Sequence, residues 1–178
     1  LELENSSVKD ILAYCAHMSP LSTDEVPIVF HKEQAKVFYK LMSGSSVVLS
    51  APTSFGKSFI IDAIISTKKF KNIVLIVPTI ALIDETRRRL SKFKKNYKII
   101  THNFQDRANN NIYLLTQERC LENDIIDQVD FFIIDEFYKL SQWADDSNRC
   151  ALLNQAFYNL YKKCKHFYML GPNISGIT

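Results

Sequence analysis

The chain predicts an α/β fold, a mostly parallel sheet with helices on both faces, and three observations carry that expectation. Strand-like apolar runs alternate with helix-length segments along its 178 residues. Several runs, such as Phe131-Phe132-Ile133-Ile134, are apolar throughout rather than at every second position. A strand with two apolar faces must be covered on both, which is the situation of a parallel sheet between helical layers. Finally, the polar clusters follow strands: Thr53 to Ser58, Pro78-Thr79, Thr116 to Glu118, and Asp135-Glu136. Parallel strands present their carboxyl ends along one edge, where such sheets bind ligands, so topology gathers all four there.

The elements are justified in order. Ser6 is placed to cap a helix running to about Met18, and a turn-rich stretch from Ser19 to Pro27 follows. Residues 32 to 42 read as a helix with Ala35, Phe38, Tyr39 and Met42 on one face. A strand is expected at 47–50. The next helix, 58–67, has isoleucines on several faces and should be well buried. A strand at 73–77 precedes a helix from Ile80 to about Lys92. Its inner face is Ile83, Thr86, Leu90 and Phe93. Arg87-Arg88-Arg89, Lys92, Lys94 and Lys95 resemble a nucleic-acid patch, but Asp84 and Glu85 stand four residues before Arg88 and Arg89. That spacing favours intrahelical pairs on a solvated face. Short strands at 97–101 and 112–115, the apolar strand at 131–134, a helix at 148–161 and a strand at 167–170 complete the pattern. The sequence holds no repeat, low-complexity tract or convincing linker.

Composition sets outer limits. Hydrophobic residues make up 47% and charged residues 23%, ordinary for a soluble globular domain. The net charge of +3 permits a nucleic-acid partner without arguing for one. Cys15, Cys120, Cys150 and Cys164 form no C-x-x-C pair, so free thiols in a reducing compartment are expected rather than disulfides or zinc. His17, His31, His102 and His166 lack metal-ligand spacing, and Trp143 is assigned to packing. No uninterrupted apolar run approaches the ~18 residues of a membrane span, and no signal-peptide pattern opens the chain. No membrane partner and a cytoplasmic location are the resulting expectations. The chain begins with Leu1 rather than Met, as a piece of a longer protein would.

Chemistry concentrates in Ala51-Pro52-Thr53-Ser54-Phe55-Gly56-Lys57-Ser58. Gly-Lys-Ser opening a helix after a strand is the context of a phosphate-binding loop. Backbone N–H groups there converge on a phosphate, and the helix adds its positive end. Lys57 supplies a point charge for the β- and γ-phosphates, and Ser58 a hydroxyl for Mg²⁺. Phe55 fits if its side chain points outward. Asp135-Glu136 is the second element. Two carboxylates closing an apolar strand need partners, and a phosphate-bound Mg²⁺ is such a partner. Asp135 is expected to hold the metal, and Glu136 to orient and deprotonate the attacking water.

Together these residues resemble the superfamily 2 helicases, the DExD/H-box and Ski2-like ATPases. Ala51 to Ser58 is similar to their A-P-T-G-S-G-K-T loop, and Asp135-Glu136-Phe137-Tyr138 to their D-E-x-H/D box. Gln34 stands where the family carries the glutamine that reads adenine. Pro78-Thr79 looks like motif Ia, and Thr116-Gln117-Glu118-Arg119 like the T-P-E-R element of motif Ib, both of which touch the nucleic-acid backbone. The resemblance spans about residues 28 to 174. It implies a lead-in over 1–27 and a first RecA-like, P-loop ATP-binding domain over 28–178. The second RecA-like domain, with its arginine fingers and half of the nucleic-acid groove, is absent from these residues. ATP and Mg²⁺ are the implied cofactors, DNA or RNA the implied partner, and an ATP-hydrolysing helicase or translocase the implied activity. Residues 1–178 alone are expected to be poorly active. Two departures stand out. Leu170-Gly171-Pro172-Asn173 lies where the family carries Ser-Ala-Thr, so translocation or strand clamping competes with processive unwinding. Tyr138 replaces the box's last His or Asp. Another P-loop phosphotransferase, or a nucleotide-dependent switch or scaffold, are the alternatives.

Overall fold

The computed structural model describes residues 16–22, 26–122, 126, 128–140 and 147–173. Most of the predicted first helix, and Cys15 and Trp143, lie outside them. The described elements are α1 (Lys32–Met42), β1 (Val47–Ser50), α2 (Lys57–Ser66), β2 (Asn72–Ile76), α3 (Ile80–Leu90), β3 (Lys98–Ile100), β4 (Asn111–Leu115), α4 (Gln117–Leu121), β5 (Phe131–Asp135), α5 (Ser147–Lys163) and β6 (Phe167–Gly171). Single 3₁₀ turns stand at Thr53–Phe55, Ser91–Phe93 and Phe137–Leu140.

The six strands form one sheet in the order β1-β6-β5-β2-β4-β3, and every pairing is parallel. Alternate residues of each strand feed two cores. Ile73, Leu75, Ile112, Leu114, Phe131 and Ile133 pack on one side, with Phe38 of α1, Ile60 and Ile64 of α2 and Ile83 of α3. Val74, Ile76, Tyr113, Leu115, Phe132 and Ile134 pack on the other, with Cys120 of α4 and Leu153, Ala156 and Leu160 of α5. This is why the strands read as unbroken apolar runs: each must satisfy both layers. Burying one such side chain contributes about 1.5–3 kcal/mol.

α2 is buried from Ile60 through Ile65, including Asp62. A buried carboxylate needs cations, and α3 provides them. Arg89 forms an ion pair with Asp62, and Lys92 Nζ lies 2.7 Å from Asp62 Oδ2. The expected intrahelical pairing of Glu85 with Arg89 is therefore replaced by an interhelical one. The penalty for leaving Asp62 unpaired outweighs the ~0.3–0.5 kcal/mol of an exposed i,i+4 pair. Arg87, Lys94 and Lys95 instead line an open cleft with Lys98 and Asn109 at the amino-terminal end of β3.

Cys120, Cys150 and Cys164 are not in disulfides. Burial pushes the Cys120 thiol up to about 12, which leaves it unreactive. Among the described residues no helix is long and apolar enough to cross a membrane.

Candidate nucleotide and nucleic-acid site

Because all strands run the same way, five segments meet along one edge of the sheet. In spatial order they follow β1 (Ala51 to Ser58), β6 (Pro172-Asn173), β5 (Glu136), β2 (Pro78-Thr79) and β4 (Thr116 to Arg119). The phosphate-loop candidate and the Asp-Glu pair are separated by β6 alone.

The loop leaves β1 through Ala51 and Pro52 and makes a 3₁₀ turn over Thr53–Phe55. It enters α2 at Gly56, whose backbone is left-handed, φ 76° and ψ 38°. Glycine is favoured there on two counts. The conformation is costly for a residue with a Cβ. A Cβ would also lie 2.7 Å from Gln34 Nε2. Phe55 is partly buried against the α1–α2 core, so it anchors the turn rather than pointing outward. Lys57 Nζ donates to the loop's own carbonyls, Ala51 O at 2.6 Å and Pro52 O at 3.1 Å. The ammonium is thereby stored across the turn, and Ser58 is exposed beside it.

Gln34 is buried, and both ends of its amide are engaged. Its Nε2 donates to Phe55 O at 2.7 Å, and its Oε1 accepts from His31 N at 2.9 Å. In this structure it closes the N-terminus of α1 and staples that helix to the loop, a function that sequence reading missed. The capping geometry was legible, since Gln34 occupies the third position of a helix beginning at Lys32.

Asp135 closes β5 and accepts a hydrogen bond from Glu136 N at 3.0 Å on Oδ1. Burial raises its carboxyl above the ordinary aspartate value. The Glu136 carboxylate also raises it, while the Glu136 N–H, Lys57 and Arg89 pull it down. The charges of Lys57 and Asp135 thus sense each other across β6. Glu136 sits at φ 61°, one of two non-glycine residues with positive φ among the described ones. Such strain costs ~1–3 kcal/mol and accumulates where a side chain must be aimed.

The donor chemistry fits Mg²⁺. The ion takes hard oxygen ligands, one or two of them carboxylates, and completes its shell with phosphates and water. A Ser58 hydroxyl and a desolvated Asp135 carboxylate are such a set. Among the described residues no group of three His, Cys, Asp or Glu forms a self-sufficient metal cage.

A prediction follows from the raised Asp135 value. Below the unfolded-state value both forms hold the proton and the shift costs nothing. As pH rises from there through the raised folded value, the unfolded chain gives up its proton more readily than the fold does, so stability falls. Asp135→Asn is neutral throughout and keeps an acceptor for the Glu136 N–H. It should therefore raise the urea midpoint at pH 8 without Mg²⁺, by a margin that shrinks as pH is lowered. A lower midpoint for the variant at pH 8 would refute this.

Gly171 and Pro172 touch both halves of the site. Ala51 N donates to Gly171 O at 3.2 Å, and Ser50 Oγ to Pro172 O at 2.9 Å. A Cβ on Gly171 would lie 2.7 Å from Phe137 Cε1, immediately after Glu136. A side chain at residue 171 would therefore have to displace the Phe137 ring.

On the far half of the edge, Thr79 caps α3 by accepting from Leu82 N at 3.3 Å, and Thr116 caps α4 by accepting from Arg119 N at 3.5 Å. Thr116 and Gln117 are buried. Arg119 Nη1 donates to Thr101 O at 3.2 Å. Arg149, which sequence reading did not single out, reaches over from α5. It hydrogen-bonds Pro78 O and lies 3.6 Å from Glu118 Oε1, tying the two loops together.

Comparison with known proteins bears on the family and the fold. The chain is 45% identical over 161 residues to Anti-bacteriophage protein B of Escherichia coli (strain K12), a match covering 84% of this chain and 22% of that protein. The chain thus spans only a small part of the length of that curated relative. In fold it is similar to the Sulfolobus solfataricus SWI2/SNF2 ATPase core domain, with TM-score 0.57 and 17% identity over 88% of this chain and 34% of that one. The model of the DEAD/DEAH box helicases matches residues 31–169. The chain belongs to the DEAD/DEAH box helicase family.

Proposed function

We propose that residues 28–178 form the first RecA-like half of a motor that hydrolyses Mg²⁺-bound ATP to move on or remodel DNA or RNA, with residues 1–27 as lead-in. One observation supports this above the rest. A left-handed Gly56 opening α2 and a desolvated Asp135 end neighbouring parts of one sheet edge, close enough for Lys57 to influence Asp135.

In this reading the N–H groups of residues 51–58 and the start of α2 hold the phosphates. Lys57 leaves Ala51 O and Pro52 O for the phosphate oxygens. Ser58 and Asp135 hold Mg²⁺, which neutralises phosphate charge. Glu136 takes the proton of the attacking water. Gln34 keeps a second lone pair on Oε1 for the exocyclic amine of adenine, so a base seated there would also feel the loop through Phe55. Thr79 and the start of α3 meet the nucleic-acid backbone with Pro78. Thr116 and Gln117 set the position of Glu118 and Arg119 rather than exposing their own side chains. A second RecA-like domain supplies the remaining ligands. The name of the Escherichia coli relative makes defence against phage the setting we propose for this activity.

The test is Mg²⁺-dependent ATP turnover by the full-length protein with and without single-stranded DNA or RNA. Turnover that rises with nucleic acid supports a motor. Phosphate transfer to a small acceptor would instead indicate a phosphotransferase. Binding without turnover would indicate a switch.

A further inference from the structure

Phe104 is 99% exposed, whereas the next most exposed large apolar residue among the described ones, Ile80, is 61%. Single exposed apolar residues are common; this one presents a whole phenyl ring from a hydrogen-bonded turn. Gln105 Oε1 accepts from Thr101 N at 2.6 Å and from His102 N at 3.1 Å. Gln105 N donates to His102 O at 3.3 Å, and Asn103 Nδ2 to Glu122 O at 3.1 Å, just past α4. The ring is thus carried on a pinned turn, whose backbone has little conformational freedom left to lose on binding.

Its place is equally specific. The turn follows β3, so it lies on the same carboxyl edge as the nucleotide loop, at the end remote from it. The Thr116 to Arg119 segment is its neighbour, and Arg119 bonds the first residue of the turn. Ile80, the next most exposed apolar side chain among the described ones, begins α3 on this edge too. His102, Asp106 and Arg107 flank the ring and are exposed, so local charge is mixed and gives no phosphate clamp. An aromatic face without a local cation cluster suits a base rather than a phosphate.

We propose that Phe104 is a stacking platform for a nucleobase of single-stranded DNA or RNA crossing this edge. The proposal rests on the nucleic-acid reading above. Stacking is indifferent to base identity, because every base has a π-face, and by alanine substitution it is worth about 5- to 140-fold in affinity, ~1–3 kcal/mol per base.

The probe is a fluorescein-labelled single-stranded oligonucleotide, titrated into the full-length protein and its Phe104→Ala and Phe104→Trp variants at several salt concentrations. Phe104→Ala should weaken binding within that range and leave the salt slope unchanged, because no phosphate contact is lost. Phe104→Trp should restore affinity. An oligonucleotide carrying 5-iodouridine should photo-crosslink to position 104. The melting temperature and the ATP turnover without nucleic acid should be the same in all three proteins. Wild-type binding with equal affinity for Phe104→Ala would overturn the stacking role alone. Weak binding that Phe104→Trp fails to restore, or a lower melting temperature, would mark Phe104 as a contact between domains and also overturn it. No binding by the wild type would overturn the nucleic-acid reading as well.

Discussion

Replacing Glu136 by glutamine is expected to lower ATP turnover by about 10²–10⁴-fold while nucleotide affinity stays within a few-fold of the parent, the loss associated with removing a positioned general base. The variant removes the proton acceptor and leaves Asp135, whose oxygen accepts the backbone N–H of residue 136 whichever side chain stands there. Glu136→Gly separates the chemistry from the strain. At φ 61° a glutamate carries a conformational cost that glycine avoids. The glycine variant should therefore be equally inactive and yet no less stable, gaining up to ~1 kcal/mol in urea unfolding. A glutamine variant whose ATP affinity fell as far as its turnover would count against the assigned division of labour. A glycine variant that unfolded more readily would show that the left-handed backbone is not stored strain.

The second large effect concerns completeness. Residues 1–178 alone are expected to hydrolyse ATP about 10³–10⁵-fold more slowly than the two-domain protein we propose, and without stimulation by DNA or RNA. That range is what arginine fingers contribute by stabilising the charge of the transferring phosphoryl group, ~4–7 kcal/mol of barrier. In the described residues the cations near the loop already have partners. Lys57 spans the turn, and Arg89 is held by Asp62 and by Ser58 O at 3.1 Å. Arg149 is drawn toward Pro78 and Glu118. Steady-state rates of the two proteins, with and without single-stranded nucleic acid, check this. Robust stimulated turnover by residues 1–178 would overturn the half-site proposal.

The sheet and its parallel sense were legible because the cause is written directly in the strands. A stretch such as Phe131 to Ile134 must feed two cores, so it carries no polar alternation. The helix over 32–42 was legible from its apolar period, but its face was drawn too far round: Ala35 and Phe38 are buried as expected, whereas Tyr39 is exposed and Leu41 is buried instead. What escaped was decided by long-range partners. Arg89 turns from Glu85 to Asp62 because α2 buries that carboxylate, and burial of a residue inside an isoleucine-rich helix is a tertiary fact. The 3₁₀ turn at Thr53–Phe55 and the inward Phe55 depend on α1 packing beneath the loop. Arg149 joins two loops distant in sequence, and no local pattern marks it. At the site, the Gly-Lys-Ser motif and the Asp-Glu pair announced themselves by type and by position after strands. Gln34 was singled out for adenine, and its engagement with His31 and Phe55 became visible only in the folded chain.

The central claim is that the Ala51 to Ser58 loop holds the phosphates of ATP, and Lys57→Ala tests it most directly. The Lys57 ammonium touches only loop carbonyls, while the apolar contacts of α2 begin further along the helix, so the variant should fold. One unit charge about 4 Å from a phosphate oxygen is worth ~4 kcal/mol at the effective dielectric of a protein surface, on the order of 10³ in affinity. Calorimetric titration of Mg²⁺-ATP into the full-length protein and its Lys57→Ala variant, at one temperature well below both melting temperatures, makes the comparison. A folded variant that has lost two to three orders of magnitude in nucleotide affinity or turnover is the result expected. A folded variant that binds and hydrolyses ATP as the parent does would contradict the phosphate-loop assignment.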